Sequence, residues 1–195
     1  MIRRLRWDLM DANERWNYWY WPVANVPGFF GNMLRARLLA PRMQRVGVGL
    51  SVMAGCRFRS IERLSVGDNV SIGFDNFFQA LGGLRLGDNV VTAPGVKIWT
   101  VNHNIESATA TVLEQGQSER AVEIGNDVFI GGNAFILPGV TLPDGCVVSA
   151  GSVVGVRVYK PNSILAGNPA RVIGFRGVRD VTSDSGDELA GESNG

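Results

Sequence analysis

Aliphatic residues recur at every sixth position along most of this chain. From Ile124 the steps fall on Ile130, Ile136, Leu142, Val148 and Val154. Two residues before each later step stands a small or aliphatic side chain: Val128, Ala134, Val140, Cys146 and Ser152. The same lattice runs upstream through Val48, Ala54, Ser60, Val66, Ile72 and Phe78, with Val46, Val52, Phe58, Leu64 and Val70 as companions. After a two-residue slip it resumes at Leu86, Thr92 and Ile98, with Leu84, Val90 and Val96 beside them. A helix repeats near 3.6 residues and a strand near two, so six fits neither alone. It fits a short strand that points alternate residues inward and then rounds a corner. Three such hexads close a triangular coil, and the inward residues of successive coils stack into one aliphatic column. The lattice predicts an all-β solenoid of about five coils, each rising ~4.8 Å along the axis.

One long stretch does not keep the repeat. It runs from Trp99 to Val122, between the turn motifs Gly87-Asp88-Asn89-Val90 and Gly125-Asn126-Asp127-Val128. Segments that leave a regular scaffold are where function concentrates. The chain's single histidine, His103, stands at the mouth of this loop, ahead of a run rich in Ser, Thr, Glu and Gln. A lone histidine is commonly structural, but one placed there is a candidate general base.

Charge changes the picture only locally. The net charge is +1, which gives no overall reason to expect nucleic acid as a partner. Residues 1–45 hold eight arginines, and the stretch from Asp180 onward is acidic. Two cysteines, Cys56 and Cys146, have no metal-ligand spacing, and a reducing, cytoplasmic setting is the simpler expectation. No apolar run is long enough to span a bilayer, and the N-terminal arginines are not followed by the apolar core of a secretion signal.

The block GDNVVTAPGVKIWTVNH, the loop, then IGNDVFIGGNAFILPGVTLPDGCVVSAGSVV and PNSILAGNPARVIGF resemble the hexapeptide-repeat sugar O-acetyltransferases of the maltose, galactoside and nodulation type. They also resemble acetyltransferases of capsule, exopolysaccharide and O-antigen clusters. The resemblance spans roughly residues 46–176. It implies a left-handed parallel β-helix, against the usual right-handed crossover, with an N-terminal helical segment. It further implies a homotrimer, acetyl-CoA as co-substrate, and a sugar or lipid-linked sugar as acceptor. By that carry-over His103 is the general base, with a backbone N–H near the loop as oxyanion donor. Glu106 and Glu123 are candidates to orient its ring. Asn76 and Asn102 fall on the acceptor side; Asn76 has a competing reading as a stacked core asparagine. Ala93, Phe129, Gly132, Ala150 and Arg171 fall on cofactor positions. The chain departs from many relatives after Ala150-Gly151, where Ser152-Val153-Val154-Gly155-Val156-Arg157 lacks their threonine and lysine. Arg157, Lys160 and Arg176 are candidates to supply the missing charge. Zinc carbonic anhydrases of the same fold need three histidines per site, so no metal is expected. A nonenzymatic scaffold in a glycan-assembly complex, and N-acetylation of an amino sugar, are the competing functions.

Residues 1–45 form a separate aromatic and basic segment. Trp7, Trp16, Trp19 and Trp21 cluster there with Pro22 and Pro27. Helices are expected over 1–20 and 32–45, broken by the two prolines. The aromatics either cap the open end of the solenoid or sit at a membrane interface, where the arginines would attract anionic lipid. Residues 177–195 read as a disordered acidic tail.

Overall fold

The computed structural model of this protein describes Met10 and residues 12–177; the expected acidic tail lies almost wholly outside them. Two helices, α1 (Ala12–Ala24) and α2 (Gly28–Leu39), lead into the solenoid. The first coil is β1 (Arg45–Val46), β2 (Ser51–Val52) and β3 (Arg57–Arg59). The second is β4 (Leu64–Val66), β5 (Ser71–Ile72) and β6 (Phe77–Gln79), and the third is β7 (Leu84–Leu86), β8 (Val91–Thr92) and β9 (Lys97–Trp99). A hairpin, β10 (Val101–His103) and β11 (Gln117–Glu119), then projects from the coils. The fourth coil is β12 (Val122–Ile124), β13 (Phe129–Ile130) and β14 (Phe135–Ile136). The fifth is β15 (Thr141–Leu142), β16 (Val147–Val148) and β17 (Val153–Val154). β18 (Ser163–Gly167) begins a sixth turn, and β19 (Ala170–Phe175) folds back on it antiparallel.

The strands build three parallel sheets, which are the faces of a prism of about six turns. Face A stacks β1, β4, β7, β12 and β15. Face B runs from β2 up to β19. Face C stacks β3, β6, β9, β14 and β17. The architecture is consistent with the expected left-handed β-helix. From the second coil upward the inward residues are the lattice steps themselves: Val66, Ile72, Ile98, Ile124, Ile130 and Ile136 are all essentially inaccessible.

The first coil corrects the expected register. Val48 is 72% exposed, and the inward positions are Val46, Val52 and Phe58. Val46 pairs with Val66 and Val66 with Leu86, two intervals of twenty residues. Ile124 pairs with Leu142, an interval of eighteen. The extra residues enter at one place, the corner between faces C and A. There Ile61–Arg63 forms a short 3-10 turn in the first coil. Residues 80–83 form a wider bend in the second. The hairpin β10–β11 leaves from the same corner in the third. One edge of the prism thus collects every enlargement of the repeat.

The A-to-B corner is regular, and its Gly-Asp-Asn motifs have a direct physical reason. The side chain of Asp88 accepts the backbone N–H of Asp68 at 2.8 Å. Asn126 does the same for Asp88 at 2.8 Å, and Asp144 for Asn126 at 2.7 Å. Each coil therefore satisfies a corner amide of the coil below. The preceding glycine makes the approach possible: a Cβ on Gly87 would lie 2.5 Å from Asn126 Oδ1.

The N-terminal segment closes the lower end. In α1, Trp16, Tyr20 and Ala24 are buried at four-residue spacing, one face of the helix. Trp16 stacks on Tyr20 with centroids 5.7 Å apart, Tyr20 meets Phe58 edge-on at 6.4 Å, and Phe58 meets Phe78 at 5.7 Å. The helix extends the aromatic end of the core column. Pro22 lies inside α1 and does not break it; the helix runs on to Ala24. Pro27 instead marks the break, as the N-cap of α2, which starts at Gly28 and not at 32.

Candidate functional site

Hairpin β10–β11 carries His103. Its register pairs Val101 with Glu119, Asn102 with Ser118 and His103 with Gln117. Val101 is buried at the root, while Asn102 and His103 are exposed. The tip beyond them is held by its own polar groups. Asn104 donates its side-chain N–H to Gln115 O at 2.9 Å, and Ser107 N–H donates to Gln115 Oε1 at 2.8 Å. Glu114 Oε2 accepts from both the backbone and the hydroxyl of Thr111 at 2.9 Å. These hydrogen bonds give the excursion a fixed shape without apolar burial.

The imidazole has one side-chain partner among the described residues. Gln117 Nε2 lies 3.2 Å from His103 Nε2. An amide nitrogen can only donate, so the ring nitrogen accepts and its lone pair points at the amide. Asn102 Oδ1 accepts the backbone N–H of His103 at 3.1 Å. Neither expected carboxylate orients the ring. Glu106 accepts the N–H of its neighbour Ile105, and Glu123 lies 3.8 Å from Arg85 on face A. Gln117 escapes a reading of the sequence because its partner is fourteen residues away and only the hairpin register joins them.

His103 and Asn102 stand on a wall between two clefts. One, of about 380 Å³, opens along face C and is lined by Arg59, Phe77, Gln79, Trp99, His103 and Gln117 among others. The other, of about 250 Å³, lies on the opposite side of the hairpin, against Arg120, Leu137, Pro138 and Val156. The imidazole is thus open to two separate clefts.

The remaining sequence-predicted residues lie elsewhere. Asn76 is 0% exposed, inside the prism, and its amide donates to the carbonyls of Gly73 at 2.8 Å, Phe74 at 3.2 Å and Ala93 at 3.0 Å. The structure puts it in the stacked-core position and not in the His103 clefts. Ala93, Gly132 and Ala150 gather along the corner between faces B and C, where a Cβ on Gly132 would come within 4.0 Å of Ala93 Cβ. Phe129 is 43% exposed on face B, and Arg171 sits on β19 of that face, its guanidinium 2.9 Å from Ala170 O. A single chain does not bring this set to His103, which occupies a different corner. Arg176 is engaged by Asp127 at 2.8 Å, whereas Arg157 and Lys160 are exposed. Both cysteines are buried; burial pushes the Cys56 thiol up to about 11, so it is a poor nucleophile at neutral pH. Among the described residues no cluster of His, Cys, Asp or Glu could hold a metal ion.

A three-sided parallel solenoid with an imidazole borne on an ejected hairpin defines a class of protein, and comparison with known proteins shows what it resembles. Residues 121–155 match the hexapeptide repeat of succinyl-transferase. The chain is 35% identical over 116 residues to galactoside O-acetyltransferase of Escherichia coli, covering 56% of this chain and 55% of that one. Its structure is similar to that of a maltose O-acetyltransferase from Clostridium difficile 630, with TM-score 0.72, 29% identity, and coverage of 86% of this chain and 87% of that one. It is also similar to a galactoside acetyltransferase in complex with coenzyme A, with TM-score 0.73, 26% identity, and coverage of 84% and 80%. Over these spans the chain is similar to hexapeptide-repeat acetyltransferases. It spans between about a third and a little over half the length of several of the curated relatives it matches.

Proposed function

We propose that this protein transfers an acetyl group from acetyl-CoA to a sugar hydroxyl, in the assembly of a capsule, exopolysaccharide or O-antigen. The observation that carries this reading is the exposed His103 imidazole, held by Gln117 on the wall between two clefts. An acceptor hydroxyl entering along face C replaces the Gln117 amide as the partner of Nε2. Nε2 takes its proton as the oxygen attacks the thioester carbon. The C–O bond forms, the C–S bond breaks, and the imidazolium returns the proton to the departing thiolate. No acyl-enzyme is needed, which accords with the buried cysteines. The 46–176 solenoid is the catalytic unit and the 1–45 segment an accessory to it.

The working unit is a homotrimer. The small residues at the B–C corner, with Phe129 and Arg171 on face B, form one half of a thioester site. His103 at the C–A corner forms the other half. Two corners of one prism cannot meet, but a corner of one copy can face the neighbouring copy. The test is a panel of sugars incubated with acetyl-CoA, read by thiol release and mass spectrometry, with the particle mass measured by light scattering. Acetylated sugar from a particle of three 21.1 kDa chains is expected. Absence of both turnover and CoA binding would leave the scaffold reading in its place.

The helical segment adds a contact with the cytoplasmic face of an anionic membrane. Capping uses only one face of α1; Trp19 and Trp21 are left 73% and 75% exposed, beside Phe29 at 94% and Phe30 at 64% on α2. Arg15 and Arg37 are exposed on the same helices. Aromatics with neighbouring arginines suit an anionic lipid surface. Among the described residues no helix is long and apolar enough to cross a membrane, so the contact is peripheral. Flotation with vesicles containing phosphatidylserine is expected, and its loss in Trp19→Ser/Phe29→Ser. A chain that stays in the dense fraction with such vesicles would rule the contact out.

A further inference from the structure

We propose that the acceptor cleft contains an anion subsite formed by Arg57 and Arg59, so that the sugar receiving the acetyl group carries a phosphate or a carboxylate. The inference rests on the acetyl-transfer reading and specifies its substrate class. Strand β3 reads Arg57-Phe58-Arg59. Phe58 turns into the core and the two arginines turn outward on face C. Among the described residues neither guanidinium has a hydrogen-bond or ion-pair partner. Nearby arginines at the C–A corner and on face A are engaged: Arg63 pairs with Glu119 at 3.1 Å, and Arg85 lies 3.8 Å from Glu123.

The surroundings are one-sided in charge. Register places Arg57, Phe77 and Lys97 in one outward row of face C, and Arg59, Gln79 and Trp99 in the next. These rows hold three cations and no carboxylate. Among the described residues the one acid lining the cleft is Asp75, at the corner before β6, with its carboxylate over Gly55.

Arg59 and Phe77 also belong to a second cavity, of about 430 Å³, lined by Tyr20, Trp21, Asn25 and Arg57 among others. Sharing two residues makes the two cavities one continuous cleft, from His103 down face C to α1. Arg59 and Trp99 are two coils apart, ~10 Å along the axis. A sugar ring lying over Phe77 and Trp99, whose rings meet edge-on at 6.2 Å, spans that interval. Its hydroxyl then reaches the imidazole while its anionic substituent reaches Arg59. A guanidinium fork is the side chain best matched to phosphate or carboxylate oxygens.

The test uses the full chain and matched acceptors: glucose, glucose 1-phosphate and glucuronate, with the corresponding galactose set. Acetyl transfer is expected to favour the charged members by about tenfold or more in kcat/KM. The advantage should shrink as ionic strength rises. In Arg57→Gln/Arg59→Gln the preference should collapse through KM. Calorimetric binding of the same sugars to His103→Ala reads the subsite without turnover. Tighter binding of charged than neutral members, abolished by adding Arg59→Gln, supports the subsite even if no sugar is acetylated, and in that case only the transfer reading fails. Equal binding, absent binding, or a preference that survives both arginine substitutions overturns the subsite, whatever the turnover shows.

Discussion

Replacing His103 by Ala lowers kcat for acetyl transfer by ~10²–10⁴-fold, the range expected when a positioned general base is removed, and leaves the thermal transition of the protein in place. The fold should not respond, because His103 is exposed on a hairpin whose shape comes from Asn104, Ser107 and Gln115 and not from the imidazole. KM for acetyl-CoA should change little, since the imidazole acts on the reacting atoms while Phe129, Arg171 and the small residues of the B–C corner are the groups assigned to hold the cofactor. Gln117 gives the matching control. It touches the ring nitrogen at 3.2 Å and acts on the reaction only through it. Gln117→Glu places a carboxylate beside the imidazole, which favours the protonated ring. The acidic limb of kcat/KM against pH should therefore move upward by about one unit. If the side chain at 117 does not face a catalytic imidazole, that limb stays unmoved. Retention of more than about a tenth of wild-type kcat by His103→Ala would remove the histidine from the mechanism.

The solenoid was legible because its core imposes a rule on every coil: inward residues must be small or aliphatic, at fixed spacing. The first coil escaped for the same reason. Inward residues come in pairs two apart, so a two-residue slip still lands on acceptable side chains, and Val48 passes for Val46. Only the turn at Ile61–Arg63 separates the two registers. The hairpin was legible as a break in the repeat but not as strands. Gln117, Ser118 and Glu119 are all exposed and show no apolar alternation. That also hid Gln117 as the partner of His103, while Glu106 and Glu123 drew attention by charge alone. Asn76 shows the converse. Its place in a companion slot already implied burial, and the structure gives its amide three carbonyls to hold. The cleft along face C was out of sight because it forms between residues about twenty apart, one coil above another.

Arg35→Met is expected to destabilise the protein by about 3 kcal/mol or more, a fall in melting temperature of roughly 6–12 °C. Arg35 is fully buried in α2 without a carboxylate partner among the described residues. Its guanidinium donates to backbone oxygens: Val52 at 2.9 Å, Val26 at 2.6 Å, Val23 at 3.1 Å and Ala24 at 3.4 Å. It also donates to Asn32 Oδ1 at 2.7 Å. Val23 and Ala24 end α1, so their carbonyls have no partner within the helix and carry the negative end of its dipole. Val52 belongs to the first coil. One side chain thus caps α1, fastens the linker to α2, and ties both helices to the prism. Desolvating a guanidinium is costly, and exchanging a whole buried ion pair for apolar residues is often neutral. Here the partners are main-chain carbonyls that no substitution can remove; Val23 O and Ala24 O keep the backbone donors Val26 N–H and Gly55 N–H, but the methionine leaves Val26 O and Val52 O without the guanidinium. Arg35→Lys should recover only part of the loss, because one ammonium cannot reach acceptors spread around a planar fork. Residues 24–28 should then become the first site of limited proteolysis, while the upper coils persist on their own ladders. Calorimetry together with timed digestion reads both effects. A Met variant melting within about 2 °C of wild type, with that linker still resistant, would show that Arg35 does not hold the segment in place.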